Sequence, residues 1–320
     1  MAERRPASVG ELRAGGKAAL ARTLSAVETQ GDNAAFAAFL DEAARAGRAH
    51  VLGLTGPPGV GKSTLTNALI RSYRERGESV GVIAVDPSSQ LTGGALLGDR
   101  PRLETDPEDA GIFVRSMAAR DRLGGLSDHA VAGIVLMRAV MDRVIVESVG
   151  IGQSEADVAH AVDTLALCIQ PGSGDSLQFM KAGVMELPDL VFVTKADMGA
   201  LARRARADVE GALSLARPAG AGPLPQVMAL SASTGEGIAE AVAAFDAHGA
   251  RMALEGARDR RRQAQQRHWV ADTVRRRFGS HGLHLCDVER ALAEAGGAFA
   301  AIAGIDRDLR TRFGTMPSWM

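Results

Sequence analysis

Residues 56–64 are the feature that most constrains what this chain can fold into. They read Gly56-Pro57-Pro58-Gly59-Val60-Gly61-Lys62-Ser63-Thr64, directly after the apolar run Val51–Leu54 and directly before a helical pattern. A glycine-rich turn between a strand and a helix lets backbone N–H groups and the helix N-terminus surround phosphate oxygens. In such a turn Lys62 contacts the β- and γ-phosphates and the Ser63 hydroxyl binds Mg²⁺. The segment therefore predicts a site for a nucleoside triphosphate with Mg²⁺, and each of its residues is a candidate contact.

Short β-rich runs alternate with helical segments through the middle of the chain. The runs are Val51–Leu54, Val80–Val85, Ile112–Val114, Val144–Val146, Leu165–Ile169, Leu190–Val193 and Val227–Leu230. This alternation predicts an α/β fold, a P-loop NTPase with a mostly parallel sheet flanked by helices. Ligands of such sheets bind at the carboxyl ends of the strands, which is where the motifs described below occur.

Helical patterns without strands precede and follow this region. Two Ala-rich helical patterns come first, and after Gly249 an Arg-rich helical segment runs to Phe278, followed by a helix from about Asp287 to Ala303. We therefore predict an N-terminal helical segment (1–48), a P-loop domain (49–249) and a C-terminal helical segment (250–320). At 320 residues the chain has room for one principal domain with helical N- and C-terminal extensions.

The composition is that of an ordinary globular protein. Hydrophobic residues make up 46% and charged residues 23%, and the net charge is −1, so no nucleic acid or anionic membrane is expected as a partner. The N-terminus lacks an apolar signal segment, and charged residues interrupt the most apolar stretch, Val131–Val149. Cys168 and Cys286 lie far apart, which indicates neither a disulfide framework nor a thiolate metal site. A cytoplasmic location is predicted.

Lysine is rare in this chain. Of 37 basic residues only four are lysine, namely Lys17, Lys62, Lys181 and Lys195. Where arginine is the usual cation, a remaining lysine indicates a position that needs a compact point charge, which a planar guanidinium does not replace. Three of these lysines fall in the functional motifs.

Acidic residues follow two of the predicted strands. Glu147 comes directly after Val144–Val146 and precedes Gly150, a pattern that resembles the Walker B and switch II element with Glu in place of Asp. A carboxylate there can hold Mg²⁺ through water, and the Gly150 N–H can approach a γ-phosphate. Asp86 and Asp99 can also reach the metal, although Asp86 can instead cap a turn and Asp99 can lie away from it. The candidate metal ligands are therefore Ser63, Asp86, Asp99 and Glu147.

The segment Thr194-Lys195-Ala196-Asp197, directly after a predicted strand, resembles the guanine-binding pattern [NT]-K-x-D. The Asp197 carboxylate can accept the N1–H and the N2 amino hydrogens of guanine, two donors that adenine lacks. Charged hydrogen bonds contribute roughly 1.5–3 kcal/mol each, so two of them favour guanine by at least about a hundredfold. Thr194 replaces the commoner Asn, whose amide could bond both base and P-loop, so a weakened site is expected. After the last strand Ser231-Ala232-Ser233 resembles the loop whose backbone N–H meets guanine O6.

Several longer motifs make a family resemblance specific. They are Thr55–Thr64, Val85–Ser89, Gly93–Leu103, Val114–Ala118, Leu123–Ser127, Glu147–Glu155 and Gly174–Gly183. Together they resemble the methylmalonyl-CoA mutase-associated GTPases, the MeaB/ArgK family of SIMIBI-class G proteins. The motifs occur in family order from about residue 50 to 240, and the helical termini match the family layout.

This resemblance implies a dimeric GTPase that acts as a chaperone of an adenosylcobalamin-dependent acyl-CoA mutase. It would use GTP and GDP to gate cofactor loading and to protect the mutase from inactivation. The resemblance also implies that Asp86, Asp99 and Glu147 join Ser63 around Mg²⁺, and that Asp175 and Lys181 lie in a third switch that responds to the partner. A second departure from the family pattern, besides Thr194, is Arg100-Pro101 in place of a Lys-Thr pair.

Hydrolysis requires an in-line water, Mg²⁺ and positive charge at the γ-phosphate. Lys62 is the candidate cation, and Gln153 is a weaker candidate for positioning water, since it lies two positions beyond the usual glutamine. The sequence indicates no general base. Slow turnover is therefore expected for the protein alone, and a partner that supplies a cation can raise such rates by about 10³–10⁵-fold.

Three alternatives compete with this interpretation. A metallochaperone GTPase usually carries Cys/His-rich motifs, whereas seven His and two Cys form no ligand-spaced pair here. An ATP-dependent kinase or transport-associated ATPase conflicts with Asp197. A nucleic-acid-binding module on Arg258–Arg277 competes with an amphipathic packing or dimerisation helix, in which Trp269, Thr273 and Val274 share one face.

Overall fold

The computed structural model describes residues 6–29, 33–86, 103, 105–118, 126–148, 154–172, 186–216 and 224–314. Within these ranges the side chains of residues 28, 86, 118, 154–156, 216 and 314 are not described. The chain divides into two compact units. One contains Ala49–Ile134 and Met141–Arg258, and the other contains the residues up to Arg48, Val135–Val140 and those from Asp259 onward. The segment boundaries at 48/49 and 249/250 remain predictions.

Seven strands in the described part of the chain form one sheet. They are β1 (His50–Thr55), β2 (Val80–Asp86), β3 (Ile112–Ala118), β4 (Arg143–Glu147), β5 (Thr164–Ile169), β6 (Leu190–Val193) and β7 (Gln226–Ala229). Each strand overlaps one of the predicted runs, and every neighbouring pair is parallel. The predicted α/β fold is therefore confirmed.

Helices make up most of the remaining described structure. They are α1 (Val9–Ala14), α2 (Gly16–Thr29), α3 (Ala34–Arg45), α4 (Lys62–Glu75), α5 (Asp128–Val140), α6 (Ser154–Ala159), α7 (Ala200–Ala216), α8 (Ile238–Leu254), α9 (Ala257–His284), α10 (Val288–Ala295) and α11 (Ala298–Gly314). A short 3-10 helix, Ala196–Met198, precedes α7. Within the described ranges, no helix combines the length and the apolarity needed to cross a lipid bilayer.

The strand order determines where a ligand can bind. The order is β3-β2-β4-β1-β5-β6-β7, so β1 lies between β4 and β5. From β1 the chain continues to β2, which lies on one side of β1 in the sheet. The strands β5, β6 and β7 lie on the other side of β1. Connections diverge at such a point and leave a crevice at the carboxyl ends of the strands. Because Leu54 pairs with Glu147, the loop that follows β1 lies beside the end of β4.

Helices cover both faces of the sheet, as a parallel sheet requires. On one face, Leu65, Leu69 and Tyr73 of α4 pack with Phe245 of α8 and with Phe192 of β6. The rings of Phe192 and Phe245 meet edge to face at 5.4 Å. The opposite face buries the alternate strand residues together with one side of α7, namely Leu167, Ile169, Val191, Val193, Ala202, Val209 and Leu213. This alternation orients the strand ends that bear the functional motifs.

The amino ends of β1 and β5 are joined to α8 by a buried polar chain. The Thr164 hydroxyl lies 2.7 Å from His50 Nε2 and 2.6 Å from His248 Nδ1. Asp189 Oδ1 lies 3.4 Å from His248 Nε2. The Thr164 hydroxyl can donate its one hydrogen to either His50 Nε2 or His248 Nδ1 while its oxygen accepts from the other ring nitrogen. These hydrogen-bonded side chains lie at the amino edge of the sheet, opposite to the crevice.

We expect Thr164→Val to lower stability without changing nucleotide binding. Valine has nearly the same shape but leaves two buried imidazole nitrogens without the hydroxyl, at a cost of about 1–3 kcal/mol. The shift of the urea unfolding midpoint measures this cost. Unchanged stability would show that the hydroxyl chain contributes nothing, and a lowered affinity for GDP would show that its effect reaches the other edge of the sheet.

The second unit is built from helices at both ends of the chain. Its α9 buries Trp269, Thr273 and Val274, the residues expected to share one face of the Arg-rich segment. Trp269 packs edge to face on Phe299 of α11 at 4.7 Å. Gly279, with φ at 71°, interrupts the helix one residue beyond its predicted end. These contacts fit a packing helix better than a nucleic-acid-binding one.

The prediction of one helix from Asp287 to Ala303 is wrong. Two helices occur instead, α10 and α11, because Gly296 takes φ of 69° and ends the first. The buried carboxylate of Asp41, on α3, then caps the second by accepting N–H groups from Phe299 at 3.0 Å and Ala300 at 2.8 Å. A Cβ at Gly297 would lie 2.2 Å from the Asp41 Cγ, so only glycine permits this approach. A capping residue so distant in sequence is not visible in the local pattern.

Candidate nucleotide-binding site

The loop between β1 and α4 has the backbone of a phosphate-binding site. Gly56, Gly59 and Gly61 have φ of 137°, 75° and 97°, values that residues with a Cβ adopt only with strain. A Cβ at Gly56 would lie 2.2 Å from the Cys168 carbonyl oxygen. Gly61 is the N-cap of α4 and has no side chain to cap the first turn. The first turn of α4 thus has no side-chain cap from Gly61, and a helix N-terminus of this kind can bind an anion.

Lys62 lies across this loop. Its side chain is buried, and Nζ donates to the carbonyl oxygens of Gly56 at 2.7 Å and Pro57 at 3.1 Å. The ammonium is therefore held within the glycine loop by backbone carbonyl groups, at the end of the strand where a phosphate would lie. This geometry fits the predicted γ-phosphate contact.

Glu147 brings the end of β4 to the first turn of α4. Its carboxylate is buried and accepts a hydrogen bond from the Ser63 hydroxyl at 2.6 Å and another from the Thr66 hydroxyl at 2.9 Å. Thr66 lies on α4 three residues after Ser63, so both hydroxyls face the same strand end. The structure thus brings together two of the four predicted metal ligands, Ser63 and Glu147.

Their chemistry fits Mg²⁺, which prefers carboxylate and hydroxyl oxygens and keeps several water ligands. Asp86 ends β2, but its side chain is not described, and Asp99 lies outside the described residues. Among the described residues no cluster of three or more His, Cys, Asp or Glu side chains offers an alternative metal site. The predicted ligand set remains a prediction, and Ser63 and Glu147 are the part with observed geometry.

Thr66→Val should weaken divalent metal binding. Valine keeps the volume but removes one of the two hydroxyls that orient the Glu147 carboxylate, so the carboxylate is held less firmly. Losing such an orienting contact typically lowers metal affinity by roughly 10–100-fold. Electron paramagnetic resonance of Mn²⁺ with the GDP-bound protein measures this change. Thr66→Ser retains the hydroxyl as a matched control, and equal Mn²⁺ affinity in both variants would contradict the role.

The predicted base-binding segment is attached to the phosphate loop. The Thr194 hydroxyl lies 2.8 Å from the Val60 carbonyl and 3.1 Å from the Ile169 carbonyl. The Lys195 ammonium donates to Gly59 at 3.3 Å and to Gln170 Oε1 at 2.6 Å. Thr194 therefore retains the link to the phosphate loop that an asparagine amide was expected to supply.

Lys195 has an unusual backbone conformation. Its φ of 57° is the one positive value at a non-glycine among the described residues. A left-handed conformation costs such a residue roughly 1–2 kcal/mol. Strain of this kind is maintained where surrounding structure requires it, often at binding sites. Here it turns the chain from β6 into the short helix that carries Asp197.

Asp197 and the second base loop occupy the neighbouring strand ends. The Asp197 side chain is exposed, and no hydrogen bond or ion pair engages it among the described residues. The Ala196 N–H donates to the Leu230 carbonyl at 3.0 Å, which connects this segment to Ser231, Ala232 and Ser233. The buried Ser231 hydroxyl lies 2.9 Å from the Ser233 hydroxyl. Both predicted base-binding segments thus lie together at the carboxyl edge of the sheet.

Two contacts at this edge were not predicted. They involve Thr66, beside Glu147, and Gln170, beside Lys195. Gln170 could have been identified from its position, since it comes directly after β5 and lies at the same sheet edge as the phosphate loop. Four other candidate residues, Gly150, Gln153, Asp175 and Lys181, lie outside the described residues.

A parallel sheet with a glycine loop, a lysine and a serine at the carboxyl end of its central strand defines a P-loop nucleotide-binding protein. Residues 20–283 match the family model described as methylmalonyl-CoA mutase-associated GTPase MeaB. The chain belongs to this family of GTPases.

Individual relatives agree with this assignment. A Mycobacterium bovis protein named as a probable GTPase is 39% identical over 270 residues, which are 82% of this chain and 80% of that protein. A Pyrococcus horikoshii protein, also named as a GTPase, is 52% identical over 152 residues, 47% of this chain. The match spans about half of that relative, 48% of its length.

The crystal structure of a LAO/AO transport system kinase is similar over most of the chain. It has a TM-score of 0.69 and 28% identity, and the match covers 97% of this chain and 92% of that one. The likeness supports the P-loop fold, and the name of transport system kinase applies to the solved protein alone.

Proposed function

We propose that the protein is a Mg²⁺-dependent GTPase that acts as a chaperone of an adenosylcobalamin-dependent acyl-CoA mutase. It would hydrolyse GTP and water to GDP and phosphate, slowly alone and faster with its client. The observation that carries the GTPase proposal is the attachment of the base-binding segment to the phosphate loop, through Thr194 to Val60 and Lys195 to Gly59. The family description, which names a methylmalonyl-CoA mutase, supports the client.

Each candidate site residue that the structure describes has a role in this proposal. The loop N–H groups and Lys62 bind the phosphates, and Lys62 stabilises charge that develops on the γ-phosphate oxygens. Asp197 accepts the N1–H and N2–H groups of guanine, while the Lys195 stem lies along the base. Ser63 and Glu147 would hold Mg²⁺, which would neutralise charge on the β- and γ-phosphates.

The switch residues are proposed from the family resemblance. Gly150 and Gln153 follow Glu147 in the chain and would respond to the γ-phosphate, and Asp175 and Lys181 would respond to the client. The C-terminal helical segment would form a homodimer, and the protein would act in the cytoplasm without nucleic acid or membrane as partner.

Nucleotide competition separates GTP from ATP as the ligand. With a fluorescent GDP analogue as the probe, GTP and GDP should compete at concentrations at least about a hundredfold lower than ATP, because Asp197 pairs with two guanine donors. A preference for ATP would favour the kinase or transport-ATPase alternative. Equal binding of both nucleotides would contradict the role of Asp197.

The client proposal is tested by GTP hydrolysis with a purified adenosylcobalamin-dependent methylmalonyl-CoA mutase. We expect at least tenfold stimulation, since a partner that completes a GTPase site can accelerate it by about 10³–10⁵-fold. Bovine serum albumin at the same concentration is the control. An unchanged rate, or a protein that alone already hydrolyses GTP at the stimulated rate, would contradict the proposal.

A further inference from the structure

The base-binding segment of this chain lacks a side-chain amide at its first position. An asparagine would offer two N–H donors and a carbonyl oxygen, whereas Thr194 offers one hydroxyl hydrogen. That hydrogen is directed to the backbone, since the hydroxyl lies 2.8 Å from the Val60 carbonyl and 3.1 Å from the Ile169 carbonyl. Thr194 is also buried. It therefore joins the base segment to the phosphate loop but contributes no amide group to the base side.

A different residue places an amide at this edge of the sheet. Gln170 directly follows β5, next to Ile169, whose carbonyl accepts from both the N–H and the hydroxyl of Thr194. Gln170 Oε1 accepts from Lys195 Nζ at 2.6 Å, shorter than the 3.3 Å from the same ammonium to the Gly59 carbonyl. The ammonium thus spans the end of β5 and the phosphate loop, and Gln170 provides its shorter contact.

We propose that Gln170 is a positioning residue for guanine binding, which compensates for the missing amide at position 194 by fixing Lys195 beside the base. Lys195 is exposed and has a left-handed backbone, and its flexible side chain needs partners at the ammonium to hold one direction. Gln170 Oε1 provides such a partner. The inference rests on the proposed guanine-nucleotide site and adds a residue to it.

Gln170→Met tests the role, because methionine has similar length and no oxygen acceptor. We expect GDP and GTP to bind about three- to tenfold more weakly, by the same factor for both, since an exposed charged contact contributes modestly and the base is common to both. ADP binding, measured as a reference, should not change. Fluorescence titration with a GDP analogue and competition by each nucleotide give these affinities.

Two further variants separate positioning from packing. Gln170→Glu keeps an oxygen acceptor for Lys195 and should stay within about twofold of the parent protein. Thr194→Asn restores an amide at the first position, so adding Gln170→Met to Thr194→Asn should cost less than adding it to the parent. Urea unfolding midpoints confirm that each variant is folded.

The outcomes distinguish a failure of this proposal from a failure of the proposed function. Parent-like GDP affinity in Gln170→Met, an equal loss in Gln170→Glu, or an undiminished loss in the Thr194→Asn background would each overturn the role of Gln170. A parent protein that binds no guanine nucleotide would instead overturn the proposed function.

Discussion

Asp197→Asn is expected to reverse the base preference of the protein from guanine to xanthine. The carboxylate accepts from N1–H and from the N2 amino group of guanine, whereas the asparagine amide would present its own N–H group to that amino group. Xanthine has a carbonyl at this position and accepts the amide hydrogen, while its N1–H still donates to the amide oxygen. We expect GTP affinity to fall by at least about a hundredfold, because one charged hydrogen bond becomes neutral and the other is replaced by a contact between two donors.

Competition by GTP and xanthosine triphosphate against a fluorescent xanthosine diphosphate analogue measures this reversal. Asp208→Asn is the matched control, since Asp208 is an exposed aspartate on α7 outside the site. The control should retain the parent preference for GTP. If Asp197→Asn still preferred GTP, another residue would have to recognise the C2 substituent of the base.

Lys62→Met is expected to lower the rate of GTP hydrolysis by roughly 10²–10³-fold, the effect of removing one preorganised group that stabilises transition-state charge. Methionine fills the space of the lysine stem but carries no ammonium. Lys62 is buried at 7% exposure, so water cannot readily replace its charge. Single-turnover hydrolysis with saturating nucleotide separates this effect from weaker binding.

A second substitution at position 62 and a control at another lysine test whether this position requires lysine. Lys62→Arg should be nearly as inactive as Lys62→Met, because a planar guanidinium cannot fit the two-carbonyl position of a compact ammonium. Lys17→Met, on α2 in the other unit, should hydrolyse GTP at the parent rate. A fully active Lys62→Arg protein would disprove the argument that the rare lysines mark positions where arginine fails.

The sheet could be predicted from sequence because each strand is a short apolar run bounded by turn residues. The strands β1 and β6 also carry recognisable motifs at their carboxyl ends, so the positions of Lys62 and Asp197 followed from the fold class. Strand ends were less precise, as for β3, which continues to Ala118 where the apolar run indicated Val114. The continuation depends on pairing with β2, and such pairing is invisible in a single strand.

Features that depend on tertiary contacts were either predicted wrongly or not predicted. The break between α10 and α11 depends on Asp41, which is far away in the sequence and caps α11 from α3. Thr66 and Gln170 also stand outside any motif, and their importance comes only from the side chains they meet, Glu147 and Lys195. Sequence patterns readily identify the side chains that bind a ligand. They identify less readily the side chains that orient those ligand-binding groups.

Cys168 lies beneath the phosphate loop, and its thiol is fully buried at 0% exposure. Burial raises the pKa of this thiol to about 12, so thiolate is scarce at neutral pH. An alkylating reagent can therefore modify Cys168 only when the end of β5 separates from the loop. In a Cys286→Ser background, the alkylation rate of nucleotide-free protein would report how often the pocket opens, and its slowing by GDP would measure how strongly nucleotide closes it.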